Sequence, residues 1–263
     1  MRNLLIRMFE FPPEDASEEE LIHVNNNDCH LVTVPSSKNR DVAKAATAVS
    51  TTTATIATVV YDKHGMTPLH VACRKGQSSR VRNLIRQGAN VNLVDASGRT
   101  PLMYACRNLH SYLVRFLLEH GADANVCTTH KNGQKRITAL EVACRSNNVG
   151  AVRVLLEHGA NVEEIEAPGK ETLLHKACRR SNPEVVRLLL KYGGANANAA
   201  LLSDGSTPLH QAVYRGNLQV VKCLVEQGAT VQRANHHGVT PLHVAYTMQH
   251  YDVAEYLLES ILL

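Results

Sequence analysis

Apolar residues recur at spacings of three and four in short stretches along most of the chain. The first stretch has Val81, Leu84 and Ile85, the i, i+3, i+4 stripe of an amphipathic helix with one buried face. Gly88 follows it and can end that helix in a left-handed conformation. The same stripe returns as Val114, Leu117, Leu118, Val152, Leu155, Leu156, Val186, Leu189, Leu190, Val221, Leu224 and Val225. The pattern therefore predicts a series of short amphipathic helices.

A shorter segment that begins with Thr precedes each of these helices. In the first copy Thr67 suits a helix N-cap, Pro68 suits the first helical position, and Gly76 can end the helix. The Thr recurs at spacings of 33, 38, 34, 35 and 33 residues, as Thr67, Thr100, Thr138, Thr172, Thr207 and Thr240. A Gly-Ala pair recurs in step with it, beginning at Gly88, Gly121, Gly159, Gly194 and Gly228. One unit is therefore repeated six times.

Each unit contains a short helix, a second helix and an extended stretch that leads to the next unit. Two helices of this length bury too little apolar surface to fold alone, so the units must stack on their neighbours. The sequence predicts an all-α solenoid over 62–263. Its repeats lie at about 62–94, 95–127, 128–165, 166–202, 203–234 and 235–263.

These units resemble the ankyrin repeat. The shared residues are Asp-x-x-Gly-x-Thr-Pro-Leu-His and then Gly-Ala-x-Val-Asn, at a period near 33 over 62–263. The third copy departs by an insertion over 128–136, Thr138 and Thr172 lack the following Pro, and Gly193 is extra. The resemblance implies an all-α ankyrin-repeat solenoid of stacked helix–turn–helix units with β-hairpin-like loops. It also implies a non-enzymatic binding surface, in which loop tips and first helices face a concave groove.

The segment 1–61 carries a different pattern, with Pro, Asn and Ser clusters that are typical of loops or disorder. We expect it to be largely disordered, with 43–60 able to form a helix that caps the first repeat. The stretch 42–60 contains Lys44 and six Thr, which is too polar for a membrane span. Seven cysteines, an odd number, disfavour a secreted disulfide framework. We expect a cytoplasmic or nuclear protein that does not contact a membrane.

Charge is divided unevenly along the chain. The formal net charge is +4, but residues 1–61 hold 5 Lys or Arg against 8 Asp or Glu. The remainder holds 23 against 16, so an acidic segment of −3 precedes a repeat region of +7. A net charge of only +4 gives no reason to expect that the chain binds nucleic acid.

Basic residues recur at the end of the first helix in the first five repeats, after the Ala-Cys pair or its equivalent. These two columns hold Arg74, Lys75, Arg107, Arg145, Arg179, Arg180, Tyr214 and Arg215. The resemblance implies that they face the groove, where they would form a cationic ladder for an acidic or extended segment of a partner. Two alternatives compete with a role in binding. Lys and Arg at these positions suit the C-terminal helix dipole, and duplication of one repeat also produces a column of Arg.

Loop tips supply a second set of candidate partner contacts on either side of this ladder. They are His64, Met66, Arg99, Lys170, His236 and His237.

Cysteine and histidine follow the repeat rather than a metal site. Cys73, Cys106, Cys144 and Cys178 are 33, 38 and 34 residues apart, far from the spacing of zinc ligands. Six of the fourteen histidines belong to the repeat motif or precede a helix-ending Gly. No nucleophile motif or phosphate-binding loop occurs. We therefore predict no catalytic residue, no metal and no cofactor.

The sequence favours a non-catalytic protein–protein interaction module, acting as an intracellular adaptor, scaffold or inhibitor. Its partner would be another protein, with no small-molecule substrate. One alternative is the substrate-recognition subunit of a ubiquitin ligase, similar to ankyrin and SOCS-box proteins, although no box is detected after the last repeat. Another is an inhibitor of Rel-type transcription factors, by family analogy.

Overall fold

The computed structural model describes residues 62, 64–129, 136–163 and 171–262. The expectations for 1–61 lie outside these residues. Within them the chain forms twelve helices in six pairs, so the predicted all-α repeat architecture is confirmed. The helices are α1 Pro68–Arg74, α2 Ser78–Arg86, α3 Pro101–Arg107, α4 Ser111–Glu119, α5 Ala139–Arg145, α6 Val149–Glu157, α7 Leu173–Arg180, α8 Pro183–Lys191, α9 Pro208–Tyr214, α10 Leu218–Glu226, α11 Pro241–Met248 and α12 Tyr251–Leu262.

Each first helix begins where the sequence predicts, at the recurring Thr. The side chain of Thr67 accepts a hydrogen bond from the backbone N–H of His70, and the His70 ring accepts one in return from the Thr67 N–H. The copies without Pro start in the same way, because Thr138 caps α5 through the N–H of Glu141. The Thr cap alone is therefore sufficient to start the helix.

Small residues let neighbouring first helices pack closely. The Ala of each first helix is at most 3% exposed, and so is the Cys of three copies. Because these side chains are short, α1 packs on α3, α3 on α5, α7 on α9 and α9 on α11. The stripe residues of the second helices complete one continuous apolar core. The scarcity of large aromatic residues in the sequence is explained by this thin-layered packing.

Polar side chains join one repeat to the next. His70 Nε2 donates to the carbonyl oxygen of Arg99 at 3.0 Å, and His175 and His210 make the equivalent bonds at 3.2 and 3.1 Å. Burial lowers the pKa of all three imidazoles, that of His175 to about 4. They are therefore neutral structural donors, as the repeat motif implies.

The insertion of the third repeat forms a small antiparallel ribbon. Strand β1, Thr128–Thr129, pairs with strand β2, Arg136–Ile137, with Thr128 opposite Ile137. Thr128 and Ile137 are both buried. The ribbon ends at Ile137, two residues before α5, and contributes to the same cleft as the ends of the central first helices.

Candidate partner-binding cleft

A cleft of about 390 Å³ lies where the ends of three first helices meet the ribbon. Its lining comes from α3, α5, the last residue of α7, the loop before α3 and both strands. The lining residues are Arg99, Met103, Tyr104, Arg107, Thr128, Ile137, Val142, Arg145, Ser146 and Arg180. Four of these ten are arginine and no described lining residue is acidic, so the space is strongly cationic.

The repeat itself places three of the four arginines. Arg107, Arg145 and Arg180 are the last residues of α3, α5 and α7, so the packing of these helices brings their ends together. Arg180 Nη1 donates to the backbone carbonyl oxygen of Arg145 at 3.0 Å, which ties the end of α7 to that of α5. One arginine from each of the second, third and fourth repeats therefore lies at the cleft.

Nearby carboxylates are engaged by other cations. Lys176 Nζ lies 2.9 Å from Glu141 Oε1, and Arg179 Nη1 lies 3.4 Å from Glu171 Oε1. The side chains of both pairs are largely shielded from water, at 12–25% exposed. Glu141 and Glu171 therefore each pair with a cation that does not line the cleft.

The cleft also has an apolar surface, made by Met103, Tyr104, Ile137 and Val142. The Tyr104 hydroxyl donates to Asp95 Oδ2 at 2.6 Å, and its ring meets His70 edge-on at 5.9 Å. Burial, and then the hydrogen bond to Asp95, raises the pKa of Tyr104 to about 12. The hydroxyl is therefore neutral and already bonded, and the ring of Tyr104 forms a largely buried wall of the cleft.

The other predicted ladder residues lie outside the cleft. Arg74, Lys75 and Arg215 are exposed, and Tyr214 is half-buried. Arg179 is half-buried beside Glu171, so Arg180 rather than Arg179 reaches the cleft from the fourth repeat.

The predicted loop-tip residues divide into three groups. His64, His236 and His237 are exposed, and the His236 ring lies against Gly205 of the preceding repeat. Met66, by contrast, is 4% exposed and belongs to the core, so its side chain is not available as a contact. Arg99 lines the cleft, and Lys170 lies outside the described residues.

The cysteines of the described repeats are reduced thiols. Five are buried, and Cys127 is half-buried. Burial raises the pKa of Cys73 and Cys144 to about 12, which keeps these thiols protonated. In the described part of the chain no three His, Cys, Asp or Glu side chains are grouped to hold a metal ion. No described helix combines the length and apolarity that crossing a membrane requires.

Sequence comparison agrees with this architecture. A profile of the family described as ankyrin repeats, in three copies, matches residues 45–128, 126–200 and 190–261. These ranges cover most of the chain, which therefore belongs to the ankyrin-repeat family and is a protein-interaction module. No curated protein matches the chain.

Two solved structures are similar to it. The crystal structure of the ankyrin repeat domain of Bcl-3, described as a unique member of the IkappaB protein family, is 28% identical. That alignment covers 75% of this chain and 87% of the other, with a TM-score of 0.62. A chain from the complex of the Bd0816 predatory endopeptidase of Bdellovibrio bacteriovorus with the immunity protein Bd3460 is 27% identical. Here 76% of this chain and 98% of the other are covered, with a TM-score of 0.61.

Sequence reasoning missed the apolar part of the cleft and its ribbon wall. Tyr104 stands where other first helices carry Val71 or Val142, so an aromatic replacement in that column was a usable signal. The insertion over 128–136 stands out in the sequence only as a departure from the repeat. Nothing in the spacing indicates that its strands flank the arginines.

Proposed function

We propose that the chain is a non-catalytic adaptor, scaffold or inhibitor of the cytoplasm or nucleus, which binds an acidic or extended segment of another protein along the ankyrin groove. The observation that carries this proposal is the cleft, with four arginines and no acidic residue among its described lining residues. Carboxylates of a partner would pair in two-point contacts with Arg107 and Arg145, whose side chains have no partner among the described residues.

The contact surface would extend beyond the cleft in both directions. An extended segment of ten residues is about 33 Å long, enough to cross several repeats. The residues we propose for its flanks are Arg74, Lys75, Arg179, Tyr214, Arg215, His64, His236 and His237, to which Lys170 is added from the sequence. The affinity would then depend mainly on the cleft and the selectivity on these flanks.

A second candidate function is inhibition of a Rel-type transcription factor. The similarity to the Bcl-3 domain, a member of the IkappaB family, favours it. The similarity to a chain of an endopeptidase–immunity protein complex supports the broader role of binding another protein. Identification of the partner separates the two, since only a recovered Rel-type factor supports the second.

Affinity purification followed by mass spectrometry tests the proposed function. The full chain and the double variant Arg107→Glu/Arg145→Glu are used as baits at low and at moderate salt. We expect the charge-reversed bait to lose the partner that the wild type retains, and the wild-type interaction to weaken with added salt.

A matched control changes charge by the same amount elsewhere. Arg80 and Arg86 are exposed on α2 and do not line the cleft. The variant Arg80→Glu/Arg86→Glu should recover the same partners as the wild type. Equal recovery by all three baits would contradict the proposed role of the cleft.

A further inference from the structure

The arginine cleft contains two positive charges that have no partner among the described residues, more than one carboxylate can balance. Four arginines line a single space of about 390 Å³. The side chains of Arg107 and Arg145 make no hydrogen bond or ion pair within the described part of the chain. Each guanidinium offers a planar fork of donors that suits oxygen pairs on an anion.

A phosphate monoester fits this arrangement better than a carboxylate does. It carries a charge of about −1.5 to −2 near neutral pH and three free acceptor oxygens, so several forks can bind it at once. A carboxylate has one charge and two oxygens. The phosphodiester of a nucleic acid also has one charge, and its two ester oxygens are blocked by sugars.

The apolar part of the cleft adds a second requirement. Met103, Ile137, Val142 and the ring of Tyr104 lie beside the arginines, and the Tyr104 hydroxyl is bonded to Asp95. Met103, Tyr104 and Ile137 are already buried, and Val142 is half-buried. A ligand that places an apolar side chain next to its charged group would cover the part of Val142 that a purely ionic ligand leaves in water.

We infer that the cleft binds a phosphorylated residue of the partner's extended segment, with an apolar residue next to it. The inference rests on the proposed function and names the chemistry that the partner must present. Phosphorylation would then control whether the partner binds.

Three immobilised peptide pools test the inference. Each pool has four degenerate positions on either side of one fixed residue, which is phosphoserine, serine or glutamate. The full-length chain should be retained about tenfold more strongly by the phosphoserine pool than by the glutamate pool, as expected from one further charge-assisted hydrogen bond. Sequencing of the retained peptides should show Leu, Ile, Val or Met enriched next to phosphoserine.

Conservative variants test the fork geometry without reversing charge. Arg145→Lys keeps the charge but removes the two-point contact. We expect several-fold weaker retention by the phosphoserine pool and a smaller loss with the glutamate pool, because a carboxylate has only two oxygens and engages fewer forks. Arg86→Lys, exposed on α2, is the control and should behave as the wild type, and thermal unfolding confirms that both variants are folded.

Each contrary result has a separate meaning. Equal retention by the glutamate and phosphoserine pools would overturn the inference and leave the acidic-segment function standing. No retention by any pool would also overturn it, and the affinity purification would then decide the proposed function alone. Two competitors are added at the concentration at which the soluble phosphopeptide pool displaces the chain. Displacement by inorganic phosphate would assign the cleft to a free anion instead. Displacement by a ten-residue oligothymidylate would assign it to nucleic acid.

Discussion

The hydroxyl of Tyr104 donates to Asp95 Oδ2 at 2.6 Å, and both residues are less than 10% exposed. The other carboxylate oxygen, Oδ1, accepts from the backbone N–H groups of Ser97 and Arg99 at 2.8 and 2.9 Å. Asp95 thereby joins the loop tip to the first helix of the same repeat. Arg99 lines the cleft, and the position of Arg99 therefore depends on the hydrogen bond between the buried residues Tyr104 and Asp95.

The substitution Tyr104→Phe should therefore loosen the loop tip and weaken the cleft. It leaves one oxygen of the Asp95 carboxylate without its donor, so we expect the free energy of unfolding to fall by about 1–3 kcal/mol. Partner affinity should fall as well, because Arg99 is then less firmly held. Urea unfolding and binding to the recovered partner are the measurements.

Tyr112 provides the matched control for that substitution. It is 55% exposed, and its hydroxyl accepts from Arg82 at the surface. Tyr112→Phe should change the free energy of unfolding by no more than about 0.5 kcal/mol. Equal losses from both substitutions would show that the bond to Asp95 has no special role.

Stability should depend on pH through the buried repeat histidines. Burial lowers the pKa of His175 from 6.5 to about 4, and it lowers the pKa of His70 and His210 in the same direction. Below pH 6.5 the unfolded chain binds protons that the folded chain does not, so stability is complete above that pH and is lost as the pH falls towards 4. For His175 the loss is on the order of 3 kcal/mol.

Urea titrations at pH 7, 6 and 5 measure this dependence. His175→Gln should be less stable than the wild type at pH 7 but should lose less stability between pH 7 and 5. Parallel curves for wild type and His175→Gln would contradict the assignment.

Much of the fold could be predicted from the sequence because the repeat is encoded locally. The Thr cap and the apolar stripe around Val81 each lie within a few residues of the helix that they predict. The cleft could not be predicted in this way, because its lining depends on how the repeats stack. Arg179 and Arg180 are adjacent, and only the direction of α7 decides that Arg180 reaches the cleft. Met66 is predicted to be a contact at a loop tip but is buried, since the spacing does not show which way the tip folds.

Glycine at the turn between paired helices makes room for the next repeat. Gly76 has a φ of +68°, and a Cβ there would lie 2.5 Å from the ring of His110. Gly88 has a similar φ of +83° but nothing within 4 Å. Gly88→Ala therefore costs backbone strain of about 1–2 kcal/mol, and Gly76→Ala should cost about 1 kcal/mol more because the ring must move.

A double-mutant cycle separates the two contributions at Gly76. Combining Gly76→Ala with His110→Ala removes the steric conflict and leaves the strain. We expect a favourable coupling of about 1 kcal/mol in urea unfolding. Additive losses would indicate that His110 rotates away at no cost, and the contact would then have no part in joining the repeats.

Asn148 joins the second and third repeats from a buried position, and its loss should be among the more costly in the chain. Its Oδ1 accepts from the N–H of Ala151, which caps α6, and from Ser111 Oγ, while its Nδ2 donates to the carbonyl oxygen of Cys106 at 3.0 Å. Asn148→Ala removes cap and bridge together and should lower the free energy of unfolding by about 2–3 kcal/mol. Asn148→Asp keeps the cap but places a carboxylate oxygen against the Cys106 carbonyl, so it should remain clearly destabilised at pH 7. If Asn148→Asp proves as stable as the wild type in urea unfolding, the bridge to Cys106 contributes nothing and only the cap matters.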